Sequence, residues 1–260
     1  SSTQEAGSSG DYYLNVYQTA STLDTAAVQF ALTYGNSLGS GSAVFNTAVD
    51  GKSPTSTIYG QYQNLVLGDE NTDFVFGNIT SSEFFAISVD RARYKEKLFL
   101  ESLTLNISGS AGSLTLTDNS AYVTSVQFNE AGRVFQLISG SQGVKNTSIN
   151  ADGYTNTSGS YGWLLPDIGT ILLNPHALST TTGNGGAGFE YSGSISGSTP
   201  VTTSPMASLF QAISGSSSFR LNSEETITSD FVFVRPRSSE FNYSENPSFI
   251  SGSTGEVLYS

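Results

Sequence analysis

The chain contains no cysteine and only one histidine, His176, among its 260 residues. The lack of cysteine excludes disulfide bonds and thiolate metal sites, so stability has to come from packing, chain length or association. A single histidine leaves few groups able to exchange protons near neutral pH, and it cannot form a metal site by itself. We therefore expect no enzymatic activity, no metal site and no cofactor.

Charged residues are also scarce, at 12% of the chain, which is about half the usual share. Ten basic residues stand against 22 acidic ones and give a net charge of -12. Such a charge repels phosphate backbones and anionic membranes, which argues against nucleic-acid and membrane partners. No apolar run approaches the roughly 20 residues that span a bilayer. The expected partners are proteins, with a glycan as the alternative.

What the sequence has in quantity is the alternation of apolar and polar residues that is typical of β-strands. Its 37% hydrophobic and 12% aromatic residues are enough for a folded core. The clearest strands cover Leu14–Val16, Val28–Tyr34, Leu103–Ile107, Leu114–Leu116 and Phe231–Val234. The pattern predicts an all-β protein with an antiparallel, β-sandwich-like fold.

A tetrapeptide, Ile-Ser-Gly-Ser, occurs five times, beginning at Ile107, Ile138, Ile195, Ile213 and Ile250. Its glycine can adopt the positive φ of tight turns, so each copy predicts the end of a strand. The spacing of the copies is irregular, which argues against a repeat architecture. Two alternating runs flank the first copy and predict a β-hairpin between Ile107 and Leu114. Short helical segments are predicted at Asp24–Ala27 and Pro205–Ile213.

Changes in composition divide the chain into four parts. We expect a flexible start at residues 1–10, a β-domain at 11–145, a loop-rich insertion or second small β-domain at 146–215, and C-terminal strands at 216–260. The C-terminal strands could return to the first sheet, because strand character resumes after two stretches rich in Gly, Ser, Thr and Asn. The alternating residues Glu256–Tyr259 predict a strand that is still running, so we expect the chain to be part of a longer protein.

Local patterns that could carry chemistry have simpler structural interpretations. Asp69, Asn71 and Asp73 have the opening spacing of a calcium loop, but Phe74 stands where that loop needs glycine, so an acidic surface turn is predicted. Trp163 is the natural sugar-stacking candidate, although the neighbouring leucines favour a buried anchor. Paired carboxylates could support polysaccharide hydrolysis, but the sequence places no two acids at the required separation. A carbohydrate-binding fibre or capsid decoration domain and a polysaccharide hydrolase remain the alternative functions.

The most informative charged feature is the basic segment Arg91, Arg93, Lys95 and Lys97. Residues two apart on a β-strand share a face, so these four side chains would form a basic ribbon on an acidic protein. We predict a candidate interface that docks on the acidic surface of another subunit, with a solvated strand or helical turn as the alternative.

Three stretches, residues 58–76, 84–97 and 223–247, resemble structural proteins of contractile-tailed phages that infect marine cyanobacteria. The resemblance is carried by blocks such as Phe84–Lys97, and it covers about a quarter of the chain. It implies a virion component of the tail or baseplate that is assembled in the host cytoplasm. Its implied partners are other virion proteins and copies of itself. The resemblance brings no catalytic residues.

The aromatic residues between 231 and 249 fit such an assembly role, because Phe and Tyr supply interface area at low entropic cost. For Phe231 and Phe233 we predict a place in the hydrophobic core. Phe241, Tyr243 and Phe249 are separated by Asn, Ser and Pro, and we predict that they are interface residues of an inter-subunit arm, with a core strand as the alternative.

Overall fold

The computed structural model describes residues 3–7, 12–41, 53–148, 153–154, 158–191, 204–214, 219–235, 250–251 and 256–257. The α-helices of these ranges are α1 (Pro54–Tyr62), α2 (Pro175–Ser179) and α3 (Pro205–Ser214), and α1 continues into a π-helical turn at Gln63–Leu67. The strands are β1 (Thr3–Gly7), β2 (Tyr13–Tyr17), β3 (Val28–Asn36), β4 (Phe74–Phe76), β5 (Ile79–Ser81), β6 (Glu83–Val89), β7 (Lys97–Leu98), β8 (Thr104–Gly109), β9 (Gly112–Asp118), β10 (Gln127–Asn129), β11 (Gly132–Ser141), β12 (Val144–Lys145), β13 (Gly162–Leu165), β14 (Thr170–Leu173), β15 (Phe219–Arg220), β16 (Ser223–Glu224), β17 (Ile250–Ser251) and β18 (Glu256–Val257).

One large curled sheet of 12 strands dominates the described residues. Its strand order is β1-β2-β3-β6-β14-β13-β11-β9-β8-β15, and β10 and β12 attach to β11. Every pair in the sheet is antiparallel. The predicted all-β, antiparallel class is therefore confirmed, and a sandwich-like arrangement is consistent with the curl. No helix in the described ranges is long and apolar enough to cross a membrane.

The chain divides into two compact units, residues 1–225 and 226–260. The large sheet belongs to the first unit. In the second unit, β17 pairs with β18, and residues 226–235 form neither helix nor strand. Residues 3–7, which fall in the segment expected to be flexible, form β1 and pair with β2.

Successive residues of the central strands enter two separate hydrophobic cores. In β6, Phe84 and Ala86 belong to one core, whereas Phe85 and Ile87 belong to the other. Side chains alternate between the faces of a strand, so both faces of this part of the sheet are buried. Strands buried on both faces read as continuous apolar runs, which explains the uninterrupted sequence Phe84–Ile87.

The two cores are covered by different elements. One face lies under α1 and β4, through side chains such as Tyr59 and Phe74. On the other face, Leu105 of β8 joins the same cluster as Leu14 of β2, together with Leu209 of α3. Strands from distant places in the sheet order thus share one core, which is the packing basis of the curl.

Residues 146–215, expected as an insertion or second domain, supply the strands β13 and β14 between β6 and β11. At the start of β13, Gly162 has a φ of +141°, and a Cβ on this residue would lie 1.9 Å from the carbonyl oxygen of Leu172. Only glycine fits this close approach of two strands. After these strands, β15 pairs with β8, Phe219 lying opposite Leu105.

The local predictions of turns and helices are partly confirmed. The hairpin between β8 and β9 forms as predicted, with Gly109 opposite Gly112. The Ile-Ser-Gly-Ser copy at Ile138 ends β11, but the copy at Ile213 ends a helix, α3, and the copy at Ile195 lies outside the described residues. The helix predicted in the Pro205 region is confirmed as α3, whereas residues 24–27 form turns and no helix.

Helix α1 was not predicted, although its start carries two recognisable signals. The Ser53 hydroxyl accepts a hydrogen bond from the backbone N–H of Ser56 at 3.5 Å, and Pro54 occupies the first helical position. Serine at the N-cap followed by proline is a standard helix start. The helix lacks a clear apolar stripe in its sequence, so hydrophobic periodicity alone does not reveal it.

Candidate assembly interface

The basic segment does not form the single strand that the spacing predicts. Residues Arg91–Arg93 form a 3-10 turn, which the Asp90 side chain caps by accepting a hydrogen bond from the N–H of Ala92 at 2.8 Å. Only Lys97 lies on a strand, the two-residue β7. The prediction of one basic ribbon is therefore wrong, because a local aspartate cap competes with the extended backbone that a ribbon needs.

Three of the four basic side chains have partners within the chain. The Arg91 guanidinium stacks over the ring of Tyr94, 4.6 Å from its centroid. Lys95 Nζ lies 2.5 Å from Glu225 Oε2, and Lys97 Nζ lies 3.4 Å from Glu224 Oε1. These ion pairs are partly or largely exposed, so each contributes little to stability. Within the described residues, Arg93 has no ion-pair partner.

Arg93 lies at a cavity of about 340 Å³ that is part apolar and part polar. We call it the Arg93 cavity. Its apolar wall is formed by Phe30, Val89, Leu98, Phe219 and Leu221. The rings of Phe30 and Phe219 meet edge to face, with centroids 5.0 Å apart, and fix the wall between β3 and β15. A pocket that combines an apolar wall with polar groups and one charged group has the composition of a small binding site.

The largest apolar exposure of the described residues lies in the segment 226–235, here called the apolar arm. Ile227, Phe231, Val232, Phe233 and Val234 are each 80–97% exposed. The predicted core position of Phe231 and Phe233, and the predicted strand through them, are wrong for the chain by itself. Consecutive apolar residues expose both sides of the segment, so the arm has apolar surface available to another protein.

The other predicted interface residues, Phe241, Tyr243 and Phe249, lie outside the described residues. The interface prediction for these three stays a prediction.

A buried carboxylate network around Glu83 was not predicted. Glu83 Oε2 accepts hydrogen bonds from the Tyr34 hydroxyl and, at 3.3 Å, from Asn36 Nδ2. Its Oε1 accepts from the Tyr191 hydroxyl and lies 3.3 Å from His176 Nε2. Because a carboxylate has about four acceptor positions, this one has a full set of partners. The network therefore ties β3, β6, α2 and the segment around Tyr191 together.

The electrostatic environment of the network keeps its tyrosines protonated. Burial raises the pKa of Tyr34 well above its usual range, and the Glu83 charge and hydrogen bond add to this rise. Burial likewise raises the pKa of Tyr191, with further contributions from its hydrogen bond to Glu83 and from the Glu83 charge. Both hydroxyls are thus held as hydrogen-bond donors to the carboxylate.

The network also bears on the hydrolase alternative, since Glu83 and Glu190 line one open cavity of about 630 Å³. Glu190 Oε1 accepts a hydrogen bond from the Ser110 hydroxyl at 3.1 Å. A general acid must give its proton to a substrate oxygen within hydrogen-bond reach. Glu83 is already engaged with four groups of the chain, which favours a structural role for this carboxylate.

The remaining chemical candidates are also structural where the chain is described. Trp163 is 8% exposed and packs against Phe76, with ring centroids 5.3 Å apart, so its prediction as a buried anchor is confirmed. Asp69 forms the predicted acidic turn by accepting from the N–H of Asn71 at 2.9 Å and the hydroxyl of Thr72 at 2.8 Å. No cluster of three or more His, Cys, Asp or Glu side chains suited to a metal ion occurs in the described part of the chain.

One signal in the sequence could have identified Glu83. This charged residue stands directly before the apolar run Phe84–Ile87, where a strand buried on both faces leaves no solvent for a carboxylate. A buried carboxylate needs partners, and the search for them leads to the tyrosines of neighbouring strands.

Comparison of the chain with protein-family models, with curated proteins and with solved structures gave no match.

Proposed function

We propose that this protein is a structural component of a phage virion, in the tail or baseplate, and that it acts by protein–protein assembly and not by catalysis. Its partners are copies of itself and other virion proteins, and its location is the virion, which is assembled in the host cytoplasm. The resemblance of residues 58–76, 84–97 and 223–247 to structural proteins of contractile-tailed phages supports the virion setting. The apolar arm is the observation that carries the assembly role.

The exposed side chains of the arm can supply the free energy of association when another chain buries them. Fully burying a Phe or Val side chain stabilises by about 1.5–3 kcal/mol, so the four residues Phe231–Val234 make roughly 6–12 kcal/mol available. Association costs about 4–15 kcal/mol in lost freedom. The arm alone therefore supports weak to moderate association, and the repeated contacts of a symmetric particle multiply it through avidity.

The two alternative functions have less support than assembly. The carbohydrate-binding alternative depended on Trp163 as a stacking platform, and this side chain is buried. The hydrolase alternative needs two acids free to face a substrate, and Glu83 has its acceptor positions filled by the chain. Neither alternative accounts for the exposed arm.

Replacing Phe231 and Phe233 together with serine tests the assembly role. We expect the wild-type chain to associate with increasing concentration in sedimentation velocity, and the F231S/F233S variant to associate at least about 100-fold more weakly, since two buried Phe side chains are removed from the interface. The melting temperature should stay unchanged, because both side chains are exposed in the chain by itself.

A matched control is Phe128→Ser, which removes another aromatic side chain that is 72% exposed. It should leave association as in the wild type. If the wild-type chain stays monomeric at every concentration, or if F231S/F233S associates as tightly as the wild type, the assembly role of the arm is wrong.

A further inference from the structure

The Arg93 cavity and the apolar arm have complementary chemistry. The cavity offers an aromatic and aliphatic wall of Phe30, Val89, Leu98, Phe219 and Leu221. The arm offers two aromatic side chains, Phe231 and Phe233, and two valines, all highly exposed. Asp230 stands next to Phe231 in the chain, so an arm that places Phe231 in the cavity also brings the Asp230 carboxylate to its rim.

The charges at the two surfaces also match. Asp230 directly precedes Phe231, and within the described residues it has no ion-pair partner, as is also true of Arg93. The neighbouring cations Lys95 and Lys97 already pair with Glu225 and Glu224. Arg93 is therefore the cation of the basic segment that remains available to pair with an acidic group of an incoming chain.

From these observations we infer that the Arg93 cavity receives the apolar arm of a second copy of this chain, with Asp230 of the incoming arm paired to Arg93. The inference rests on the proposed assembly function and names its contact. A second copy is the occupant because the arm combines the apolar surface that fits the cavity with the carboxylate that fits its cation. An arm-into-cavity contact joins two different surfaces, so it closes into a ring or a reciprocal dimer according to the angle between copies.

Charge reversal on each side tests the contact with the full-length chain. We expect Arg93→Glu alone and Asp230→Arg alone to weaken self-association about 10-fold each, because each places like charges together at the rim. Mixing the two variants should restore association to within about threefold of the wild type, since each mixed contact again has opposite charges. Sedimentation velocity of each variant and of the equimolar mixture measures these values.

Lys145→Glu is the matched control, because it changes the net charge as much as Arg93→Glu does, while Lys145 lies on β12 and is not part of the lining of the Arg93 cavity. It should associate like the wild type. Circular dichroism of R93E and D230R should match that of the wild type, since Arg93 and Asp230 are exposed.

The outcomes separate this contact from the assembly function itself. If R93E and D230R associate like the wild type while F231S/F233S does not, the arm binds elsewhere and the inference is overturned, although the assembly function stands. If the variants are weakened but the mixture is not restored, the two residues do not meet and the inference also fails. A chain that is monomeric at all concentrations would overturn both proposals.

Discussion

Replacing Glu83 with alanine is expected to lower the free energy of unfolding by about 3–5 kcal/mol, the usual cost of removing one member of a buried ionic or hydrogen-bonded group. The substitution leaves the hydroxyls of Tyr34 and Tyr191 without their acceptor. It also removes one of the two acceptors of Asn36 Nδ2, which still has the Tyr34 hydroxyl, and the carboxylate that lies 3.3 Å from His176 Nε2. Urea unfolding followed by circular dichroism measures the change.

Two control variants distinguish the loss of the Glu83 hydrogen-bond network from a change in the cavity that Glu83 and Glu190 line. Glu83→Gln keeps an acceptor oxygen and the side-chain volume, so we expect a smaller loss of about 1–2 kcal/mol. Glu190→Ala alters the same cavity but removes an exposed carboxylate that accepts from Ser110, so its cost should stay below about 1 kcal/mol. Equal stability of Glu83→Ala and the wild type would mean that the network does not hold these elements together.

Alkaline pH is expected to destabilise the fold steeply above about pH 10, because four tyrosines with raised pKa values keep their protons in the folded state. Burial raises the pKa of Tyr59 and the pKa of Tyr161, each to about 12. The pKa values of Tyr34 and Tyr191 are raised further, by burial and by Glu83. The Tyr59 hydroxyl donates to the Ser81 carbonyl at 2.8 Å and the Tyr161 hydroxyl to the Gly185 carbonyl at 2.5 Å, whereas the other two donate to Glu83.

The sign of the effect follows from the number of bound protons. Above about pH 10 the unfolded chain has lost these four protons and the folded chain retains them, so each tyrosine lowers the free energy of unfolding by about 1.4 kcal/mol per pH unit. Together they give a loss of about 5–6 kcal/mol per pH unit that begins near pH 10. Below that pH the folded and unfolded chains both hold these protons, so the full stability is present.

Urea unfolding at a series of alkaline pH values measures this slope, and the absorbance of tyrosinate shows whether deprotonation accompanies unfolding. Tyr59→Phe should reduce the slope by about a quarter while it removes one hydrogen bond. A free energy of unfolding that is constant between about pH 10 and pH 11 would contradict the account of these tyrosines.

Sequence patterns predicted the strands whose signal is local. The alternation at Leu14 and Val16 and the glycine-containing turn after Ile107 need only neighbouring residues to form β2 and the hairpin of β8 and β9. The order of the sheet depends on which strands meet, and no local pattern places β14 beside β6. The apolar run at Phe84–Ile87 predicts a buried strand, but it does not show that alternate side chains enter two separate hydrophobic cores.

The candidate site was less predictable, because its parts come from distant positions. The acceptor groups of Glu83 are filled from positions 34, 36, 176 and 191, a set with no characteristic spacing. The two-residue spacing of Arg91 and Arg93 predicted a strand, and this prediction was wrong because Asp90 caps a 3-10 turn at these residues. Phe231 and Phe233 show a further limit, because the same apolar run suits a core strand or an intermolecular contact.

The central claim, that this chain is built into a virion, is tested most directly by labelling intact particles. Gold-conjugated antibodies raised against the chain would be applied to purified virions of a phage whose genome carries this sequence, and the particles would be imaged by electron microscopy. If the proposed function is right, the label lies at a fixed position on the tail or baseplate, in numbers set by the symmetry of that structure. Particles that carry no label on the tail or baseplate, with the protein found only free in the lysate, would contradict it.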